Sequence, residues 1–240
     1  MFSKTARYYD AIYSFKDYRA EAAGIISLIG REHPRARSIL DVACGTGEHA
    51  RLLAADFTVD GIDLEPEFVT SAQSKVSGGN ISVADMRAFN LGKRYDVVLC
   101  LFSSIGYLLR ETEVVRALQC FSDHLADDGV IIVEPWLTPA RWQDGRPALA
   151  PPVDRPELKI CRMNVSERRG DVSLLRFHYL IATPAGVEYV QEDHELALYT
   201  VEQMLDCFEL AGLVASHDPV GPSGRGLYVA RKPGSTPVPA

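Results

Sequence analysis

The chain has 240 residues, of which 47% are hydrophobic and 24% are charged, and its formal net charge is −7 at pH 7. A chain of this length buries enough surface for one full hydrophobic core without disulfides or a structural metal. The negative net charge disfavours non-specific binding to nucleic acid or an anionic membrane, and no apolar stretch approaches the ~20 residues that span a bilayer. We therefore expect no nucleic-acid partner and no membrane partner.

The first part of the chain has the pattern of a helix, and the part that follows alternates strands with helices. Ala22, Ile25 and Ile29 recur at three- and four-residue spacings, which is typical of one buried helical face. Predicted strands then cover 38–43, 57–62, 81–83, 95–102 and 129–133, and predicted helices cover 48–55, 66–76 and 111–125. Nearly unbroken apolar strands between amphipathic helices predict a doubly wound, mostly parallel, Rossmann-like α/β sheet with helices on both faces.

This alternation stops after residue 136. Residues 136–156 are rich in proline and arginine, which indicates a loop. Three strands are predicted at 159–167, 172–182 and 187–198, joined by the turn-like sequences RRGD and TPAG, and they form a small antiparallel β insert. A helix at 201–211 and strands at 213–217 and 226–231 return to the main sheet.

This organisation predicts three parts of the chain. Residues 1–136 and 199–232 form a cofactor-binding α/β core with an N-terminal helical lid, and residues 137–198 form the loop and β insert that binds an acceptor. Residues 233–240 are expected to be a flexible tail. Because an inserted sheet has an exposed edge that often pairs with another chain, a homodimer is possible.

The cysteines and the N-terminus indicate a cytoplasmic protein. The five cysteines are Cys44, Cys100, Cys120, Cys161 and Cys207. Their odd number and wide spacing, without a C-x-x-C pair, predict neither a disulfide framework nor a thiolate metal site. The first ten residues, MFSKTARYYD, lack the apolar segment of a signal peptide. We expect a metal-independent protein in a reducing compartment.

The segment LDVACGTGEH, residues 40–49, carries the strongest functional signal. Gly45 and Gly47 follow the first predicted core strand and open a helix, so they lie at the sheet edge where α/β folds bind ligands. The pattern fits the loose dinucleotide fingerprint only weakly. Asp41 and Glu48 flank the turn, and two carboxylates there would repel a pyrophosphate but attract a sulfonium or ammonium group. This charge favours S-adenosyl-L-methionine over NAD.

Two more acids follow the next two strands. Asp63 ends the second strand, about 20 residues after the glycines, which is the spacing at which an acid binds ribose hydroxyls. Asp85 follows the third strand, where it is expected to accept from the adenine amino group while Met86 packs on the ring. A single such aspartate is more often a cap or turn residue, but three at successive strand ends favour a nucleoside site.

Over 36–135 the chain resembles class I S-adenosylmethionine-dependent methyltransferases, through LDVACGTG, GIDL, ADMR and YDVVLCLFSSIGYL. YYDAIYSFKDYRAEA, FSSIGYL, VVEPW and GPSGRGL are similar to bacterial N,N-dimethyltransferases of nucleotide-linked amino sugars in antibiotic biosynthesis. The resemblance implies in-line N-methyl transfer to a dTDP-type deoxy amino sugar. It also implies that an N-terminal lid brings Tyr13 to the acceptor and Tyr18 to the cofactor. The matching motifs add Ala43, Cys44, Thr46, Leu64, Arg87 and Leu101 as cofactor residues and Phe102 and Ser223 as acceptor residues.

Arginine and aromatic side chains are candidates for binding the rest of the acceptor. Arg225 lies in the glycine-flanked turn GPSGRGL, where a guanidinium suits bidentate capture of a phosphate. Arg155 and Trp136, in or beside the insert's loop, are expected to hold the diphosphate and stack on a base. The alternative is a solvated loop, and it is the preferred interpretation for Arg141 and Arg146.

His194 is the candidate general base. It lies in QEDHELALY on the last insert strand, and it shares a face with Leu196 and Leu198 by the alternation of strand residues. It also matches a histidine of the amino-sugar enzymes. An equally weighted alternative is a histidine that is hydrogen-bonded beneath the insert.

Three other functions remain open at this stage. One keeps the methyltransferase but replaces the acceptor by another small amine or a hydroxyl compound. Another is a non-catalytic S-adenosylmethionine-binding subunit, against which the intact glycine turn and polar substrate face argue. The third is an NAD-dependent oxidoreductase, which the acidic residues around the turn disfavour.

Overall fold

The computed structural model describes residues 4–221 and 223–235, so most of the predicted tail, 233–240, lies outside the described residues. The strands of the main sheet are β1 (Ser38–Val42), β2 (Thr58–Asp63), β3 (Ile81–Val83), β4 (Tyr95–Cys100), β5 (Leu125–Val133), β11 (Val214–Asp218) and β12 (Leu227–Arg231). The helices are α1 (Tyr9–Ile12), α2 (Tyr18–Glu32), α3 (Glu48–Leu53), α4 (Pro66–Lys75), α5 (Glu111–Asp123) and α6 (Val201–Leu210), with short 3-10 turns at Ala6–Tyr8 and Ser104–Tyr107. The insert consists of β6 (Pro147–Leu149), β7 (Val153–Arg155), β8 (Leu158–Arg169), β9 (Val172–Thr183) and β10 (Gly186–Ala197).

The main sheet confirms the predicted doubly wound fold. Its seven strands lie in the order β11-β12-β5-β4-β1-β2-β3, and β1 to β5 run parallel to one another. The last two strands of the chain are antiparallel. The strand order reverses between β1 and β4, and the loops after those two strands diverge to opposite faces, which opens a crevice at the carboxyl ends.

Helices cover both faces of this sheet with apolar side chains. On one face, α5 buries Val114, Leu118 and Phe121 completely, beside α6. A capping box begins α6: the Thr200 hydroxyl accepts from the Gln203 N–H, and the Gln203 side chain accepts from the Thr200 N–H. On the other face, α2, α3 and α4 bury aliphatic side chains against β1 and β2. The strands are therefore apolar on both sides, as the sequence predicted.

The insert forms a separate antiparallel sheet in the order β10-β9-β8-β6, with β7 also paired to β8. The sequence predicted its three long strands but treated β6 and β7 as loop, because each has only three residues in a proline-rich segment. The inner face of this sheet packs on the N-terminal segment in one apolar cluster that includes Tyr9, Ile12, Phe177 and Tyr179. The N-terminal segment is thereby held between the insert and the main sheet.

The outer face of the insert carries exposed apolar side chains. The most exposed are Leu149, Met163, Val165, Leu180, Val187 and Tyr189. The homodimer and the domain boundaries stay predictions. No helix among the residues that the structure describes is long and apolar enough to cross a bilayer.

Candidate active site

One cavity of about 710 Å³ opens at the carboxyl ends of β1, β2 and β4. The strand ends of the main sheet line one side, and the insert and the turn before β12 line the other. The N-terminal segment covers the space between them. A volume of this size is typical of a site for one or two small molecules.

The loop after β1 is fixed by its backbone conformation and by one carboxylate. Ala43 and Gly45 have left-handed φ angles of 58° and 57°, and the Gly45 N–H donates to Asp63 Oδ2 at 2.8 Å. Gly47 (φ 80°) is the N-cap residue of α3, and a Cβ there would lie 2.8 Å from the Ala72 Cβ. The second glycine therefore permits close packing of α3 on α4, while the first shapes the cavity wall.

Two buried carboxylates lie behind this loop. Asp41 is 2% exposed, and burial raises its pKa to about 7, with a further rise from nearby Asp63 and an opposing effect of His49. Burial also raises the pKa of Asp63, although the N–H groups of Glu65 and Gly45 partly offset this by hydrogen bonding. A cation that enters the cavity would favour the ionised form of both groups.

Glu48 contributes less negative charge to the cavity than the sequence suggested. Its carboxylate lies 3.0 Å from Lys75 Nζ and 2.9 Å from Arg51 Nη2, and the hydrogen bonds from these two side chains hold its pKa below the usual value against the effect of burial. The charge argument from the sequence therefore rests on Asp41 and Asp63 rather than on Asp41 and Glu48.

The predicted adenine residues are also on the cavity wall. The Asp85 carboxylate accepts from the Arg87 guanidinium at 2.6 Å and from the Arg87 backbone N–H at 2.9 Å, which lowers its pKa. Arg87 also donates to Glu113 at 2.6 Å. Asp85 and Met86 line the cavity together with Arg87, so Asp85 is held in a fixed orientation by its own neighbour.

The N-terminal segment is tied to both sides of the cavity. Asp10 accepts from the Thr46 hydroxyl and from Lys75 Nζ, each at 2.5 Å, which joins α1 to the glycine loop and to α4. Thr5 donates its hydroxyl to the buried Glu192 of β10 at 2.5 Å. These contacts hold the segment down on the loop at one end and on the insert at the other.

The other side of the cavity is built around Glu134, which follows β5. One oxygen accepts from the Phe102 N–H at 2.7 Å, and the other accepts from Ser223 and lies 3.5 Å from Arg225 Nη1. Phe102 and Ser103 have left-handed φ angles of 52° and 63°, which few side-chain-bearing residues adopt. Glu134 thus joins the loop after β4 to the turn that carries Arg225.

Most of the predicted site residues line this one cavity. Those on the wall are Tyr13, Tyr18, Asp41, Ala43, Cys44, Gly45, Thr46, Asp63, Leu64, Asp85, Met86, Arg87, Leu101, Phe102, Trp136, Ser223 and Arg225. Gly47, Arg155 and His194 are not on it. Arg155 is exposed on β7, so the structure does not place it with the acceptor residues. The roles of the wall residues stay predictions.

The structure places His194 behind the cavity wall. The side chain is 1% exposed, and Nδ1 is hydrogen-bonded to the Tyr107 hydroxyl at 2.8 Å. Burial, together with nearby Arg162, lowers the pKa of His194 to about 3, so the imidazole is neutral at physiological pH. Tyr107, not His194, is on the cavity wall. The alternative of a hydrogen-bonded histidine beneath the insert describes what is seen.

Several wall residues were missed by the sequence reasoning, among them Lys16, Tyr107, Glu134, Arg162, Asn164 and Phe177. Glu134 directly follows an apolar strand, so the criterion of an acid at a strand end that selected Asp63 and Asp85 would have found it. Arg162 and Asn164 alternate with exposed Met163 and Val165 on β8, and this pattern indicates an inward polar face. Lys16 and Tyr107 give no such signal.

Comparisons with known proteins agree on one group of enzymes. A family profile described as "Methyltransferase domain" matches residues 39–129. The dTDP-3-amino-3,6-dideoxy-alpha-D-glucopyranose N,N-dimethyltransferase of Streptomyces fradiae is 40% identical, and the match covers 93% of this chain and 89% of that protein. The dTDP-3-amino-3,4,6-trideoxy-alpha-D-glucopyranose N,N-dimethyltransferase of Streptomyces venezuelae is 36% identical over 89% of this chain and 91% of that protein.

Solved structures give the same result. Streptomyces venezuelae DesVI has a TM-score of 0.89 and 35% identity, over 95% of this chain and 98% of that one. CalS10, described as an amino pentose methyltransferase from Micromonospora echinaspora with bound S-adenosylmethionine, has a TM-score of 0.84 and 33% identity over 92% and 95%. The fold and the cofactor class are therefore those predicted from the sequence.

We expect Asp41→Asn to stabilise the unliganded protein more at pH 8 than at pH 5. The folded-state pKa of about 7 is above the unfolded value near 3.9, so the stability contributed by the protonated carboxyl is fully present below about pH 4 and is lost progressively as the pH rises to 7. Asparagine stays neutral throughout. Thermal unfolding at both pH values measures the effect, with each kcal/mol shifting Tm by about 2–4 °C in a chain of this size.

Asp56→Asn, which changes an exposed carboxylate, is the matched control and should show no such pH-dependent difference. A Tm difference for Asp41→Asn that is the same at pH 5 and pH 8 would contradict the raised pKa.

Proposed function

We propose that this chain, which belongs to the S-adenosylmethionine-dependent N,N-dimethyltransferases of nucleotide-linked amino sugars, methylates the amino group of a dTDP-linked deoxy amino sugar. The observation that carries this proposal is the division of charge in one cavity. Asp41 and Asp63 are buried on one side, whereas Arg162 on the insert and Arg225 in the turn before β12 lie on the other. The first side suits a cationic methyl donor and the second suits an anionic acceptor.

For the donor, we propose that the loop after β1 and the strand ends hold S-adenosylmethionine. This molecule supplies an electrophilic methyl group on a sulfonium. Asp41 and Asp63 would meet its positive charges, and Gly45 allows the backbone to approach closely. Asp85 and Met86 are available to the adenosine, while Tyr18, which contacts His49 and Lys16, closes the cavity above it.

For the acceptor, Arg225 is placed to bind phosphate oxygens. Its guanidinium lies 5.6 Å from the Phe102 ring centroid and 5.4 Å from the Trp136 ring centroid, and Glu134 holds it from behind. Since the guanidinium has five donor hydrogens, the contact with Glu134 leaves others for a diphosphate. Phe102 and Trp136 also offer apolar surface for a sugar or a base.

Methyl transfer to an amine depends mainly on how the donor and the acceptor are oriented relative to each other. In-line transfer needs a neutral amine whose lone pair points at the methyl group, and such positioning supplies about 7–11 kcal/mol of the barrier. His194 is a poor base here because it is buried, has a strongly lowered pKa and lies behind Tyr107 rather than on the cavity wall. We propose that the Tyr107 hydroxyl, held by His194, is the polar group that the acceptor amine meets.

We expect the purified protein to methylate dTDP-3-amino sugars with S-adenosylmethionine as the donor. Mass spectrometry should detect products heavier by one and by two methyl groups, and a panel with 3-amino and 4-amino sugars identifies the acceptor. The matching free amino sugars serve as controls and should react poorly, because they lack the diphosphate. Equal turnover of free and nucleotide-linked sugars would contradict the proposed acceptor class.

Arg225→Met should raise the acceptor KM by about 10- to 100-fold, because a charge-assisted hydrogen bond to phosphate is lost. Steady-state kinetics with varied acceptor measures this change, and calorimetry with S-adenosylhomocysteine should show unchanged cofactor affinity. Arg110→Met, which removes an arginine with 80% side-chain exposure, is the control. If the Arg225 variant kept the wild-type acceptor KM, Arg225 would not bind phosphate.

Tyr107→Phe should lower kcat by about tenfold, since one orienting hydrogen bond is lost while the ring is kept.

His194→Gln should lower kcat less than Tyr107→Phe does, because the glutamine side chain can still form a hydrogen bond with the Tyr107 hydroxyl. The kcat of the wild type should show no histidine ionisation between pH 5.5 and 8, given the lowered pKa of His194. A loss of about 10²–10⁴ in His194→Gln, with an inflection near pH 6.5, would instead indicate a general base.

A further inference from the structure

The loop that follows β4 contains an unusual pair of backbone conformations. Phe102 and Ser103 have left-handed φ angles of 52° and 63°, and both residues line the cavity. In the part of the chain that the structure describes, Ala43 is the only other residue that has such an angle and is not glycine. A side chain makes this conformation unfavourable, so it persists only where neighbouring groups hold it.

Two consecutive residues after β5 hold this loop. The Glu134 carboxylate accepts from the Phe102 N–H at 2.7 Å, and the Pro135 carbonyl accepts from the Ser103 hydroxyl at 2.7 Å. Each left-handed residue thus has its own hydrogen bond. The acceptor for Phe102 is a side chain, so a substitution of Glu134 removes it without changing the backbone.

The loop leads directly into the 3-10 turn Ser104–Tyr107, whose N-cap residue is Ser103. The Gly106 N–H donates to the Ser103 carbonyl at 3.0 Å, so the turn starts from a left-handed residue. It ends at Tyr107, whose hydroxyl is the group that we propose the acceptor amine meets. A change of φ at Phe102 or Ser103 would reorient the turn and move this hydroxyl.

The surroundings of Glu134 match a carboxylate and not a neutral amide. Besides the Phe102 N–H, the carboxylate accepts from the Ser223 hydroxyl and lies 3.5 Å from Arg225 Nη1. Its side chain is 9% exposed, so little water competes for these contacts. A carboxylate offers acceptors on both oxygens, whereas an amide would turn N–H donors toward one of these partners.

We propose that Glu134 is a positioning residue for methyl transfer, which holds the left-handed turn at Phe102 and Ser103 and thereby sets the place of the Tyr107 hydroxyl. Glu134 acts through the backbone of the loop and does not touch the reacting atoms. This inference rests on the proposed function, which it deepens by naming what aligns the polar group that meets the acceptor amine.

Steady-state kinetics of the wild type, Glu134→Ala, Ser103→Gly and the double variant test this role. We expect Glu134→Ala to lower kcat about 100-fold, because the loop relaxes and Tyr107 is displaced. Ser103→Gly alone loses the hydrogen bond to Pro135 and should lower kcat about twofold. In the Glu134→Ala background the same change should instead raise kcat about tenfold, because glycine adopts a left-handed φ without steric cost.

Glu134→Gln is the second variant, in case the alanine variant does not fold. Its amide oxygen can accept from the Phe102 N–H while its NH2 group faces Arg225, so we expect a kcat within about threefold of the wild type and an acceptor KM about tenfold higher. Glu67→Ala, which removes an exposed carboxylate on α4, is the control and should keep both constants. Calorimetry with S-adenosylhomocysteine checks that each variant is folded.

Wild-type kcat in Glu134→Ala overturns the proposal. A loss in Glu134→Gln as large as that in Glu134→Ala, without recovery by Ser103→Gly, would assign the carboxylate to the reacting amine and also overturn it. So would a loss of S-adenosylhomocysteine affinity that equals the loss of kcat, since it indicates general damage to the fold. A wild type that methylates no nucleotide-linked amino sugar refutes the proposed function together with this role, whereas the other outcomes leave methyl transfer standing.

Discussion

The hydrogen bond from the Gly45 N–H to the Asp63 carboxylate joins the end of β1 to the end of β2, and the donor side of the cavity is arranged around it. Asp63 also accepts from the Glu65 N–H, so one buried carboxylate fixes two loops at once. The left-handed φ angles of Ala43 and Gly45 turn the loop between these two strand ends and shape the cavity wall.

The electrostatics of the cavity follow from burial rather than from the number of charges. Ionisation of Asp41 is unfavourable because its carboxyl group is buried away from water. The negative charge of Glu48 is instead balanced by the ion pairs with Arg51 and Lys75. Asp41 is therefore a buried acid whose ionised form a cation in the cavity would stabilise, and such a residue is a frequent compromise between stability and function. On the opposite side of the cavity, the Nη1 atom of Arg162 is buried and has no hydrogen-bond partner among the residues that the structure describes.

The sequence predicted the parts of the structure that depend on local pattern. Parallel strands buried on both faces are recognisable as apolar runs, and acids at or near the ends of such strands mark the cavity edge, as Asp41, Asp63 and Asp85 show. A local sequence pattern does not show how deeply a side chain is buried or which distant residues it contacts. Alternation placed His194 on the correct face of β10, but the residue that screens it, Tyr107, comes 87 positions earlier. Pairing across the insert likewise made strands of β6 and β7, whose short sequences predict none.

The N-terminal segment is attached at two separate points. Asp10 bonds to the loop on one side of the cavity and Thr5 bonds to the insert on the other, so one short segment ties the two walls together. A movement of this segment away from the cavity would have to break both carboxylate contacts.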